Sequence, residues 1–469
     1  MSANQFFRLD VAVPRMETAA GWRRWVSKAG ATLRKSAVHP SELFGVFASL
    51  VGSQLGAAVL GLVFWMIAAR ALTPNQFGLG AALVAAMSLL STFGVLGVGT
   101  LLLERFKVVS VMDRRAMFST GLIVAVMGGA LVSAGWLCLS ALVHVPGALG
   151  DLSLSTTLLL AGATGIAAMC SAFDQAVIGM GASNLQLRRN LLASALRIAV
   201  FSGAIELDMR SGQAILVSWA VGLVGSFLAT PLRGHLSPRV QTPVKQRWRL
   251  VRNHWTAAIG HHSLTLAMAS SPLMLPVVVA SIMPATQIAY FASAMKLAET
   301  PIMLPFFLTI ALFATADGAE GFRRKAPRTL IMGIGIALCM IAAAALFGRF
   351  LLLIFGTGYS QASLSLLLLL LASGPAQVIK EHFAVLRRLQ GRRTQGAVIV
   401  ALWTAAEQGG AVAGGLMGGM TMLCLGWLAV SAACALIALP VLLRAIRRQP
   451  TGGKARLSAT RPDLIYGGA

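Results

Sequence analysis

Residues 290–307 read YFASAMKLAETPIMLPFF, an almost wholly apolar run with one positive and one negative charge at its centre, Lys296 and Glu299. The apolar residues around it extend from 286 to 314. At 1.5 Å per residue that is enough to cross a hydrocarbon core of about 30 Å. Counted from Thr286, Lys296 lies about 15 Å and Glu299 about 20 Å along the helix, both near its middle. A charge at that depth costs roughly 2.5 to 3.5 kcal/mol on insertion scales, so it must pair, face other helices or line a wet cavity.

The rest of the chain supports a membrane reading. Of its 469 residues, 57% are hydrophobic and 12% charged, and mean hydropathy is +0.77, outside the range of ordinary soluble domains. Apolar windows of spanning length predict twelve helices: 43–69, 76–102, 117–143, 154–180, 190–208, 212–231, 256–282, 286–314, 328–346, 361–386, 395–417 and 419–443. The ninth is followed by RFLLLIFG, an apolar run too short to cross alone. The expected fold is an all-α polytopic membrane protein.

The formal net charge of +24 would suggest a nucleic acid as partner of a soluble protein. Its placement argues for topology instead. Of 39 Lys and Arg, 34 fall in the two terminal segments and in alternate loops, and Arg70, Arg210 and Arg349 in the opposite loops. Arg197 and Lys296 fall inside spans. The positive-inside rule then puts both termini in the cytoplasm, with an even number of spans and no nucleic-acid partner. No cleavable signal peptide is expected, since the first apolar run begins at residue 43 and is longer than a signal h-region.

Five segments are expected. Residues 1–42 form a basic cytoplasmic segment, in which GWRRWVSKAGATLRKSAV is either a helix lying on anionic headgroups or a solvated tail. Residues 43–232 form a first six-helix lobe, 233–255 a basic linker, 256–444 a second six-helix lobe, and 445–469 a cytoplasmic tail. LTPNQFGLGAA after span one and MPATQIAYFAS after span seven make a faint internal echo, as a duplicated unit would. Loops on the outer face are short, and no Walker A loop, GxSxG elbow, HExxH or Rossmann glycine motif is present. Cys138, Cys170, Cys339, Cys424 and Cys434 have no ligand spacing, so neither a metal nor a disulfide is expected.

The candidate site residues are the charges inside spans. Lys296 and Glu299 share a helix face, and Pro301 and Pro305 should kink or break their helix just beyond. Glu407 lies at similar depth in span eleven and can approach Lys296 if the two helices face each other. The glycines that follow it, Gly409 to Gly418, suit close helix packing. Asp174 and Arg197 sit about seven residues from the cytoplasmic face on consecutive spans, and are expected to pair or to form a cationic wall for an anionic headgroup. His261 and His262 enter span seven near the interface, as a hydrogen-bonded pair or a proton relay. The buried carboxylates Glu299, Glu407 and Asp174 leave proton or sodium coupling open, with no other cofactor.

Several strings resemble one family. AARALTPNQFGLGAALVAAMSLLSTFGVLGVGTLLLERF at 68–106, QIAYFASAMKLAETPIMLP, LLLIFGTGYSQAS and RLQGRRTQG are similar, in this order, to segments of the Wzx-like polysaccharide and O-antigen flippases. Those belong to the superfamily that also holds MATE exporters and the lipid II flippase. The resemblance implies two six-helix lobes around a central cavity and alternating access. It also implies a bacterial inner-membrane transporter, not an enzyme, that moves a polyprenyl-diphosphate-linked oligosaccharide to the outer leaflet. Implied partners are that lipid-linked oligosaccharide, the membrane, and a glycan polymerase with export machinery. Lys296 matches a position where relatives often carry a basic residue. LFATADG at the end of span eight lacks the expected Phe-Pro, and the basic N-terminal segment is longer than typical. A cation-coupled MATE-like exporter and a membrane enzyme of polysaccharide assembly are the alternatives. The first would favour acids in the first-lobe cavity, and the second a large outer loop with catalytic residues.

Overall fold

The computed structural model describes residues 56, 58–106, 111–143, 147–150, 152–230, 255–316 and 318–447. The amphipathic N-terminal stretch, the basic linker up to residue 254 and the tail from Arg448 lie outside them.

Regular structure among the described residues is helical throughout. The first half holds α1 (Ala58–Ala71), α2 (Pro74–Gly94), α3 (Val98–Arg105), α4 (Val111–Val143), α5 (Leu154–Gly179), α6 (Ser183–Glu206) and α7 (Gly212–Leu228). The second holds α8 (Trp255–Ile282), α9 (Ala285–Thr315), α10 (Gly318–Leu352), α11 (Thr357–Ala362), α12 (Leu364–Ala372), α13 (Gly374–Leu389) and α14 (Arg393–Arg447). Helix starts follow local chemistry. The side chains of Thr73, Ser153 and Ser211 accept from the backbone N–H of Gln76, Thr156 and Ala214, capping α2, α5 and α7, and Pro74 opens α2 where its missing N–H costs nothing.

Among the described residues, seven helical stretches are long and apolar enough to cross a membrane: α2, residues 113–140 of α4, α5, residues 285–313 of α9, residues 320–352 of α10, α12 with α13, and α14. Three shorter apolar stretches are α1, α7 and residues 270–282 of α8. α6, which carries Arg188, Arg189 and Arg197, is in neither set. Ile123, Met127, Leu131, Ile331, Leu338, Phe347, Leu402 and Leu436 are exposed, an apolar outer surface that water would penalise and lipid would not. The chain is a multi-pass membrane protein.

Three sequence expectations change. The window 76–102 is two helices, because Leu96 and Gly97 take positive φ of 51° and 78° and interrupt the ladder. RFLLLIFG is not a separate run, since α10 continues unbroken to Leu352. Of the kink or break expected at Pro301 and Pro305, the break does not occur. α9 runs through both, with Ala298, Phe307 and Leu308 packed into the core around the two missing hydrogen bonds. Residues 395–443 form one helical run with non-helical backbone only at Gly418 and Gly419, and its two arms fold back on each other there.

α8 packs on α14, α9 on α10, α4 on α5 and α6 on α7. The two halves meet where α2 packs against α8 and α9. A single buried cluster runs across this seam, including Trp65, Phe77 and Phe201 from one half and Phe291, Phe355 and Tyr359 from the other.

Candidate functional site

A cavity of about 490 Å³ lies at the seam. The first half supplies Trp65, Trp219, Ser88 and small apolar residues of α2. Among the described residues, the second supplies every ionisable residue of the wall: Lys296 and Glu299 from α9, Lys380 and Glu381 from α13, and Glu407 from α14. Six aromatic residues complete it, the Trp65 and Trp219 already named with Phe291, Phe306, Trp403 and Trp427.

Lys296 lines the cavity and is also neutralised. Its Nζ donates to Glu299 Oε1 at 2.5 Å and lies 5.1 Å from the centre of the Trp65 ring, so an ammonium on α9 reaches the opposite half. The side chains are 20% and 44% exposed. Glu407 is differently placed. It accepts from Lys380 Nζ and from the Ser271 hydroxyl of α8, and its side chain is 1% exposed. Glu407 and Lys296 share one cavity, but the carboxylate is held by Lys380. Glu381, next on α13, receives a bond from Thr309 of α9 at 3.4 Å. His382 points elsewhere, bonding the Val378 carbonyl and Thr329 of α10.

Asp174 and Arg197 are not in the wall, and the expected pair between them is corrected. Asp174 is held by Arg189 through two bonds of 2.7 and 2.6 Å, with Arg189 also on Asn190. Arg197 stacks instead on Trp219, its Cζ 3.8 Å from the ring centre. It therefore backs an aromatic side chain that faces the cavity. His261 and His262 belong to α8, but their side chains lie outside the described residues. Asp208 and Arg210 form the exposed turn after α6, paired at 3.0 Å.

Sequence reading missed Lys380, Glu381, Ser271 and the tryptophans. Lys380 and Arg189 are among the 34 basic residues that the charge count assigns to loops, after span ten and before span five. The available signal was position, since Lys380 falls six residues inside the apolar window 361–386. The glycine run after Glu407 packs as expected: a Cβ on Gly414 would lie 2.1 Å from the Met422 carbonyl oxygen of the returning arm. Among the described residues no group of three His, Cys, Asp or Glu could hold a metal ion.

No family model and no curated protein matches the sequence. The fold does match solved structures. A multidrug resistance MATE family transporter of the MOP superfamily, inward-facing, aligns at 15% identity and TM-score 0.59, over 85% of this chain and 93% of that one. An outward-facing structure of a MATE family transporter aligns at 14% and 0.57, over 86% and 96%. A MOP superfamily transporter from Pyrococcus furiosus Vc1 (DSM3638), described as having a binding pocket of reverse polarity that suggests a different function, aligns at 13% and 0.58, over 86% and 95%. At these identities the likeness is one of fold.

Proposed function

We propose that this protein is a transporter that flips a polyprenyl-diphosphate-linked oligosaccharide from the cytoplasmic to the outer leaflet by alternating access. The observation that carries the reading is the placement of Lys296, an ammonium in the wall of a seam cavity lined by tryptophans. A diphosphate needs a cationic partner, sugar rings stack on aromatic faces, and the polyprenyl tail can stay in lipid between the halves. The cavity volume suits a headgroup, being within the roughly 300 to 1,000 Å³ of small-ligand sites. In this reading twelve spans form two six-helix lobes with both termini in the cytoplasm of a bacterial inner membrane. The protein works beside a glycan polymerase and export machinery, and no catalytic step is involved.

Energy coupling belongs to the same reading. Glu299 and Glu407 line the cavity, where protonation or sodium binding would alter the balance between conformations. Asp174, the third carboxylate of that expectation, lies outside the described wall with both oxygens on Arg189.

One observation favours a cation-coupled MATE-like small-molecule exporter. The wall has three carboxylates, Glu299, Glu381 and Glu407, against two ammoniums, which suits a cationic substrate. Against it, the described wall of the first half carries no acid, where such coupling would favour one. A single substitution tests the role of Lys296 in the flippase reading. Lys296→Ala should abolish glycan export while leaving membrane insertion intact, and normal export by this variant would leave Lys296 a purely structural role. Transport in proteoliposomes under imposed pH or sodium gradients tests the coupling, and a rate insensitive to both would sink it.

A further inference from the structure

Among the described residues of the wall, each ammonium already has a carboxylate partner: Lys296 has Glu299 and Lys380 has Glu407. An anion therefore gains a full positive charge here only by displacing one of those carboxylates. The two pairs differ sharply in what displacement would cost. Glu407 is 1% exposed and anchored by both Lys380 and Ser271. Releasing it would strand a buried carboxylate and open the contact that ties α13 and α8 to α14. Glu299 is 44% exposed and, among the described residues, is held by Lys296 alone, three residues away on the same helix face. A side-chain rotation of Glu299 would return its carboxylate to the wet cavity, and the backbone need not move.

We propose that Glu299 is a built-in counterion that occupies the anion position at Lys296 in the empty cavity, and that the diphosphate of the substrate displaces it. Lys380 and Glu407 stay closed throughout and act as the fixed side of the wall. This deepens the transport reading above and rests on it for the identity of the anion. The exchange is favourable for a diphosphate because it carries more than one negative charge and several acceptor oxygens against the single charge of Glu299. Lys296 keeps its place during the exchange, since the Trp65 ring of the other half supports the ammonium independently of Glu299. The pair also works as a filter. A neutral or cationic headgroup cannot compete for Lys296, so it meets a closed ion pair in place of a cation.

The test is binding to the full chain in nanodiscs, using undecaprenyl diphosphate and, separately, inorganic pyrophosphate as probes. Glu299→Gln removes the competing charge and should tighten both probes about two- to fivefold, the scale of losing a half-exposed ion pair. The same substitution in a Lys296→Ala background should give no gain, because the ammonium it competes for is gone. Glu299→Ala, which drops the amide as well, should reproduce the gain, and unchanged melting of both variants excludes a folding effect. Unchanged or weaker binding by Glu299→Gln overturns the proposal, as does a gain that persists without Lys296, which would mean a general change in cavity charge. The two readings fail separately. Pyrophosphate bound with the expected gain, but no lipid bound, sinks the lipid-linked substrate and keeps the counterion. Lipid bound without the gain does the reverse, and failure of both probes to bind overturns both.

Discussion

At the residue scale, partner choice among buried charges follows distance from the turn. α5 ends at Gly179 and α6 begins at Ser183, so Asp174 lies five residues before the turn and Arg189 six after it. Arg197, eight residues further along α6, is about 12 Å deeper and out of reach of a short side chain. A span starting at 190, as hydropathy alone suggests, puts Arg197 at the level of Asp174. Because Arg189 is 3% exposed and Asp174 14%, removing Arg189 leaves a largely buried carboxylate without its cationic partner. Arg189→Ala should therefore cost about 3 to 5 kcal/mol, seen as a lower melting temperature and reduced monodisperse yield in detergent. Arg197→Ala leaves the pair intact and should cost only the stacking on Trp219, about 1 to 2 kcal/mol. Equal losses in the two variants would contradict this division.

At the element scale, the approach of α2 to α9 is set by one glycine. A Cβ on Gly78 would lie 1.8 Å from the Ala285 carbonyl oxygen and 2.7 Å from its carbon, so the two backbones touch where the halves meet. Gly78→Val cannot be absorbed by a side-chain rotation, because the neighbour is backbone. It should disfavour this arrangement by about 1 to 3 kcal/mol. The expected readout is a longer distance, by pulsed electron spin resonance, between spin labels on the α1–α2 and α10–α11 connections. An unchanged distance distribution would show that the contact does not hold the halves together. Element identity was legible in long apolar windows and in the glycine run of α14. It was less so where short helices meet at a break, as at Ser373 between α12 and α13, since hydropathy continues across such a break.

At the scale of the whole molecule, one group of contacts ties the seam at a single end of α2. Arg70 donates to the carbonyls of Ile354 at 2.7 Å and Leu353 at 3.3 Å, the Gly147 N–H donates to the Ser281 carbonyl at 2.9 Å, and Phe77 meets Tyr359 edge to face at 5.8 Å. Arg70 is one of the few basic residues on the side opposite the charge-rich loops, so this end is the outer one in the proposed topology. These contacts join the two halves at that end. Arg70→Ala removes the cross-seam hydrogen bonds and should raise the labelling rate of a cavity reporter, Ser88→Cys in a cysteine-free chain, by an impermeant thiol reagent added from the outer side. About a fivefold increase corresponds to losing roughly 1 kcal/mol of charged hydrogen bonding. No increase would show that these contacts do not restrict access from that side.

The sequence by itself determined that this chain is helical and lives in a membrane, because a bilayer demands long apolar segments and leaves that demand visible in linear order. It also singled out Lys296, Glu299 and Glu407, because charge inside such a segment is costly enough to need a reason. Only the tertiary structure decided which of these charges meet. Pairing depends on where each helix begins, which face it turns inward and which other helix lies beside it. Lys380 shows the difference most plainly, since the charge that seemed part of a basic turn is the one that holds Glu407 in the cavity wall.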